Sequence, residues 1–434
     1  MDIQSAENLE LSRKYNFLFS SGVILLNMKK ILSLLTILLF ASHFVSAQYL
    51  PPKNIVIDSR YFNDKREIKI SLPEEYNYFP NRKYKVIYLF DAQSDSLFNY
   101  VVATQNYLLN NSLVFISPCI IVGIETKNRQ YEFLPKNKTQ QPFKDYGETV
   151  KLGGADIFIE HLKNEIIPLI NKNYRTNNYN IAVGHSLGGT FPIYGLAKDS
   201  ELFNAIIAAS PNLYYDNEQI LNLIEEKENY KKLEHKFLYV GYAKEGNLEN
   251  RFYPSTEKLK AFLSTKSFSS FFYKVNFITD NDHSTTPLET IYKGLVELNK
   301  QLIINENVEG FYSSPNKNFV TDLKNYYSKQ SERFGVKLPA SEDINHIAYN
   351  LFYSNKLDDA IQISNWAIEL YPEDSNLYDS LGEFLQAKQN KNEAAKVYRQ
   401  GLELVERQKD LVENSIYIDK KNSFLKRLES LEKK

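Results

Sequence analysis

The chain is poor in cysteine, in tryptophan and in any excess of one charge. Its single cysteine, Cys119, excludes an internal disulfide framework and a cysteine-based zinc site. It sits in the apolar run FISPCIIVGI and reads as a buried structural thiol. The six histidines are scattered, without HExxH or paired spacing, so no metal site is expected. Lys plus Arg is 52 and Asp plus Glu is 53, a net charge of −1. A dedicated nucleic-acid binder would carry a basic excess. With 16 glycines and 15 prolines the chain is neither collagen-like nor low-complexity. One tryptophan against 31 tyrosines and 27 phenylalanines has no evident functional meaning.

What is present is an ordinary globular mixture, 43% hydrophobic and 24% charged, over 434 residues. That length suggests two or three domains. Near the start, Met28 opens MKKILSLLTILLFASHFVSAQ. Lys29 and Lys30 precede an apolar stretch, Ile31 to Phe40, and Val45-Ser46-Ala47 forms a small-residue cleavage pattern before Gln48. We read residues 1–47 as an upstream segment plus a cleaved export signal, with translation starting at Met28. The stretch is marginal for a spanning helix, so no stable membrane anchor is expected. No cysteine follows it, which argues against a lipoprotein. A periplasmic or secreted protein is expected.

Residues 54–72 carry two short alternating runs around Asn63-Asp64, as a hairpin does. Apolar runs follow at 84–91, 115–124, 179–183, 203–210, 235–242 and 271–278. Between them, 155–174 shows helical spacing, with Pro168 expected to perturb it. Strands alternating with helices imply a mostly parallel α/β sheet over residues 48–305. The chain then turns helical, with a connector over 306–340 and an all-α segment over 341–434. Offset by 34, Ala348 falls on Gly382, Leu351 on Leu385, Ala360 on Ala394, Ala367 on Gly401 and Leu370 on Leu404. This period resembles tetratricopeptide repeats, two units over 340–407. Phe424, Leu425, Leu428 and Leu431 offer a capping face.

Residues 184–189 read GHSLGG, after the strand YNIAV and before a helix-forming stretch. In that setting G-x-S-x-G is a nucleophile elbow: the turn is tight, so its flanking positions must be small. Ser186 is then the nucleophile, and the N–H of Leu187 faces the developing oxyanion. A base must follow in the chain, and only His235, His283 and His346 do. His346 lies in the helical region and His235 begins a strand. His283, in the loop after the last strand, is the expected base. The acid should follow the preceding strand, where Glu245 and Glu249 are available. Glu245, nearer the strand end, is the choice. A second oxyanion donor should come from the loop after strand 84–91, from the N–H of Ala92 or Gln93.

These motifs, with VGIETKNRQYEFLP, the long block from GGADIF to NLYYDN, and DHSTTP, resemble the enterochelin-esterase-like (esterase-D-like) esterases over about 55–305. The resemblance implies an α/β-hydrolase fold and ester hydrolysis with a serine nucleophile, no metal and no organic cofactor. It implies Ser186 as nucleophile and His283 as base. Members carry tryptophans where this chain has Tyr214 and Tyr215, so these rings either wall the substrate or pack internally. Arg129 meets either an anionic or polar substrate group or a surface carboxylate. The substrate is a small-molecule or saccharide ester: an acylated saccharide, an aryl ester or a siderophore lactone. Acyl transfer on the same triad is an alternative within catalysis. The rival class is an inactive scaffold whose helical repeats recruit a protein partner.

Overall fold

The apolar run Tyr84–Phe90 forms β3, buried along its whole length in the computed structural model of the chain. The structure describes residues 51–109, 116–303 and 318–432. The export signal and the start of the connector lie outside them. Before β3, Lys53–Ser59 (β1) and Asp64–Ser71 (β2) pair as an antiparallel hairpin. Asn63, at φ 52°, takes the left-handed turn position that asparagine tolerates. After β3 come Cys119–Ile124 (β4), Thr176–His185 (β5), Ala205–Ala209 (β6), Phe237–Tyr242 (β7) and Phe272–Phe277 (β8).

The eight strands lie in the order β1-β2-β4-β3-β5-β6-β7-β8. Only β1 with β2, and β2 with β4, pair antiparallel; every other pair is parallel. This is the α/β-hydrolase fold. Parallel strands all end at one edge, so the loops after β3, β5, β7 and β8 gather there. Cys119 lies buried in the core, and burial pushes its thiol up to about 12.

The expected helix over 155–174 is built in three pieces. Ala155–His161 is followed by one wider π-type turn, Leu162–Ile166, and then by Ile167–Asn173. Pro168 stands at the opening of the last piece, where a missing N–H costs least.

The helical tail comprises Phe319–Phe334, then two hairpins, Ser341–Tyr353 with Leu357–Leu370 and Ser375–Ala387 with Lys391–Arg407, then Asn414–Glu432. Small residues are required where these helices cross. A Cβ on Gly382 would lie 2.2 Å from the Tyr398 ring, and one on Gly401 would lie 2.4 Å from Phe424. Phe424 is buried, with Leu428 and Leu431 packed alongside. Leu425 is instead 38% exposed, because it points off the 424/428/431 face.

These helices do not stand apart from the sheet. Ile87, Val183 and Ile207 of the sheet share one apolar core with Tyr327, Ile344, Leu351 and Trp366. Residues Leu50–Lys434 form one compact unit. Polar groups also meet at the junction. Arg82 Nε donates to Asp374 Oδ2 at 2.9 Å, and Ser117 Oγ donates to Asp343 at 2.8 Å. Glu75 lies close by, with its buried Oε1 lacking a hydrogen-bond partner. Burial, reinforced by repulsion from Glu342, pushes Glu75 up to about 7.

An ordinary carboxyl loses its proton near 4.5, so between that value and about 7 only the folded state holds the proton at Glu75. Stability therefore falls as pH rises through this window. Glu75→Gln removes the penalty. Thermal melts should show its Tm above the parent's at about pH 8 and equal to it at about pH 4.

Candidate active site

The elbow is built by a chain reversal that only small residues permit. β5 ends at His185, Ser186 sits at φ 55° and ψ −121°, and the helix Leu187–Lys198 begins at once. A Cβ on Gly184 would lie 2.0 Å from the carbonyl oxygen of Gly188. One on Gly188 would meet Asp91 Oδ2 at 2.8 Å. Ser186 N–H donates to Ala209 O at 2.9 Å, and its own carbonyl accepts from Thr190 N–H at 2.9 Å. These bonds hold the strained residue in place. Gly184→Ala should therefore cost more than about 3 kcal/mol, read from urea unfolding, because the clash is backbone against backbone.

Leu187 is the first residue of its helix, so its N–H has no intrahelical acceptor and faces the site from a positive helix end. The two candidate donors after β3 differ. Ala92 N–H is already committed to Ile124 O at 3.1 Å. That corrects the expectation for Ala92 and leaves Gln93 N–H as the available donor of the pair. The loop is braced by Asp91, at φ 65°, whose carboxylate takes Arg129 on both oxygens at 2.7 and 2.8 Å. Gln93 Nε2 and Thr126 Oγ1 add bonds to Asp91 Oδ1 at 3.0 and 3.2 Å. Arg129 is thus paired within the protein, with 37% of its side chain still open to the cleft.

His283 arrives from the loop after β8. Its Nδ1 is 2.8 Å from Glu249 Oε1. The carboxylate facing His283 is not the Glu245 expected from the sequence. Glu245 is exposed at the N-cap of the helix Gly246–Ser264, its backbone bridged to Asp282. Glu249 lies in the first turn of that helix, fully buried, and also accepts from Ala243 N–H at 3.1 Å. The helix turns Glu249 back under the strand end, whereas the residue nearer in sequence faces water. Burial alone would raise the pKa of Glu249. The bond with His283, the nearby Ser210 hydroxyl and the Ala243 N–H outweigh it and hold the carboxyl below its ordinary value. Ser210 Oγ itself falls short of hydrogen-bond geometry. Asp282, beside His283 in sequence, spends its carboxylate on the N–H groups of Ser284 and Thr285 at 2.9 and 3.0 Å.

The His283 ring stands edge-on to Phe252 at 5.6 Å and 4.5 Å from the ring of His185, the residue preceding Ser186. Ser186 Oγ and His283 make no hydrogen bond among the described residues; such bonds tighten when substrate arrives. His185 was not singled out from the sequence. Burial, then repulsion from His283, pull its pKa down to about 4. It is therefore neutral near pH 7, and a second imidazolium does not oppose a charge forming on His283.

A cavity of about 440 Å³ opens beside these groups. Arg129, Gln93 and His185 line it together with Leu97, Tyr100 and Leu288. Of the two tyrosines, Tyr215 is not a cleft residue. It is buried, and its hydroxyl donates to Pro135 O at 2.8 Å. Tyr214 is half-buried, with the Arg251 guanidinium 6.0 Å from its ring.

The comparisons with known proteins agree with this architecture. Residues 59–248 match the family model described as "Putative esterase". The ferri-bacillibactin esterase BesA of Bacillus subtilis is 29% identical over 170 residues. That alignment covers 37% of this chain and 58% of BesA, so the chain spans little more than half of that relative. Among solved structures, an IroE-like serine hydrolase from Shewanella oneidensis superposes with a TM-score of 0.62 at 23% identity, covering 74% of this chain and 99% of that one. An uncharacterised protein from Capnocytophaga ochracea superposes with a TM-score of 0.54 at 17% identity, over 83% and 99%. Both take in more of the chain than residues 51–303, so the shared fold extends into the helical tail. Over residues 59–248 this chain is similar to that esterase family, and its fold is that of the α/β-hydrolases.

Proposed function

We propose that the chain is an exported serine esterase working through Ser186, His283 and Glu249. The observation that carries this reading is the buried Glu249 carboxylate 2.8 Å from His283 Nδ1, beside an elbow that holds Ser186 at φ 55°. Glu249 fixes the tautomer, keeping the proton on Nδ1 and leaving Nε2 free to accept. Ser186 Oγ attacks the ester carbonyl as His283 Nε2 takes its proton. The N–H groups of Leu187 and Gln93 receive the oxyanion. His283 then protonates the leaving alcohol, and an acyl-enzyme remains on Ser186. Water, deprotonated by the same ring, releases the acid.

The name of the Bacillus relative favours a siderophore ester among the three substrate classes. The open side of Arg129 suits an anionic or hydroxylated group, and Leu97, Tyr100 and Leu288 suit an aromatic or aliphatic body. Export rests on the signal pattern before Gln48. Among the described residues no helix is long and apolar enough to cross a membrane. A fluorophosphonate probe tests the nucleophile. It should label the parent and not Ser186→Ala, and a folded parent that resists labelling would refute the triad.

A further inference from the structure

A second cavity, of about 510 Å³, lies at the other end of the sheet. Thr176, which opens β5, lines it, while Ser186 follows the end of the same strand. Ten residues of strand separate the two sites by about 30 Å. One wall comes from Phe79 to Lys83, ahead of β3; the other comes from the helical tail. Phe79, Val336, Leu370, Tyr371 and Pro372 give it an apolar part beside charged and polar side chains.

Lys420, from the helix Asn414–Glu432, reaches this cavity and is only 6% exposed. Its Nζ lies 4.3 Å from the centre of the Tyr78 ring and 4.9 Å from that of Phe79. Its hydrogen-bond contact is Ser375 Oγ, at 3.5 Å. An ammonium carries three donors. Among the described residues no carboxylate forms an ion pair with it. The near candidate, Asp374, gives Oδ2 to Arg82 Nε at 2.9 Å and Oδ1 to Asn376 N–H at 3.1 Å. Burial, joined by repulsion from Arg82, pulls Lys420 down to about 8, against the opposite pull of Asp374 and Asp419. A buried ammonium without a direct ion pair is costly, and a ligand anion would relieve that cost.

We infer that this cavity binds a small monocarboxylate with an apolar body. Its carboxylate sits on Lys420 Nζ and its body lies against Phe79, Leu370 and Tyr371. The volume suits a ligand of ordinary small-molecule size. A phosphate dianion fits less well, because it has no apolar body for Phe79, Leu370 and Tyr371 to cover, and Glu342, Glu373 and Asp374 line the cavity beside Lys83 and Lys337. The ligand bridges the sheet-bearing part and the helical tail, so it stabilises their junction by mass action.

Isothermal titration calorimetry on the full chain tests the inference, with 4-phenylbutyrate and octanoate as probes and 4-phenylbutanol and inorganic phosphate as comparisons. We expect one carboxylate per chain, with 4-phenylbutanol and phosphate each weaker by at least about tenfold. Lys420→Met should weaken the carboxylate by at least about tenfold, while Ser186→Ala leaves its affinity unchanged. Ala340→Phe, which fills the cavity without altering charge, should abolish binding and the accompanying rise in Tm. This second variant decides the matter if Lys420→Met fails to fold. Equal binding of alcohol and carboxylate, tighter binding of phosphate, or full binding in Ala340→Phe would overturn the inference. So would no carboxylate binding to the parent.

Discussion

Ser186→Ala should lower kcat/KM for a soluble aryl ester by about 10⁵–10⁶-fold, because the nucleophile and its base act as one unit. The loss should appear with little change in Tm, since the hydroxyl makes no hydrogen bond that the fold uses; the backbone N–H and carbonyl of residue 186 do that work. A companion substitution separates chemistry from strain. Ser186 is held at a positive φ that favours glycine. Ser186→Gly should be equally inactive yet more stable than Ser186→Ala, by about 1–2 kcal/mol in urea unfolding. If both variants melt together, the elbow stores no strain at this residue. If Ser186→Ala keeps more than about a hundredth of parental activity, the nucleophile is elsewhere.

Glu249→Gln should cost about 10³–10⁴-fold in kcat, whereas Glu245→Gln should leave it within about twofold. The amide can donate to Nδ1 and favour the wrong tautomer, and it cannot stabilise the imidazolium. The parental carboxyl is held below its ordinary pKa, so it stays ionised through neutral pH. Its contribution to stability is present above the ordinary carboxyl value and is lost as pH falls through the lowered one. Steady-state kinetics on the two variants, side by side, check the assignment. Equal losses at both positions would point to disruption of the loop rather than to a role for the carboxylate.

The strands and the elbow were legible because their signals are local. An apolar run such as Tyr84–Phe90 must be buried on both faces, and a parallel sheet is the place that buries it. GHSLGG carries its own steric demand within six residues. The 34-residue offset is likewise a local pattern written twice, and the two hairpins begin at Ser341 and Ser375. His283 stood out by position, as the histidine in the loop directly after the last strand.

What failed to show in the sequence depends on direction in space. Glu245 and Glu249 differ by one helical turn, and only the packed helix determines which carboxylate turns inward. Ala92 and Gln93 are neighbours, yet only the pairing of the β3 loop with Ile124 consumes one N–H of the two. Tyr215 went inward and Tyr214 did not, because Pro135 offers a carbonyl to just one hydroxyl. For Arg129 the sequence left substrate and carboxylate as equal alternatives, and the fold brings Asp91 to two of its three guanidinium nitrogens. Nothing in the sequence around Lys420 marks it as buried. By itself the sequence determined the strands of the sheet and the elbow, since each rests on contiguous residues. Which carboxylate meets His283, which N–H of the β3 loop is consumed and which lysine is buried were decided by tertiary structure alone, because each depends on which of several equivalent groups a distant segment covers.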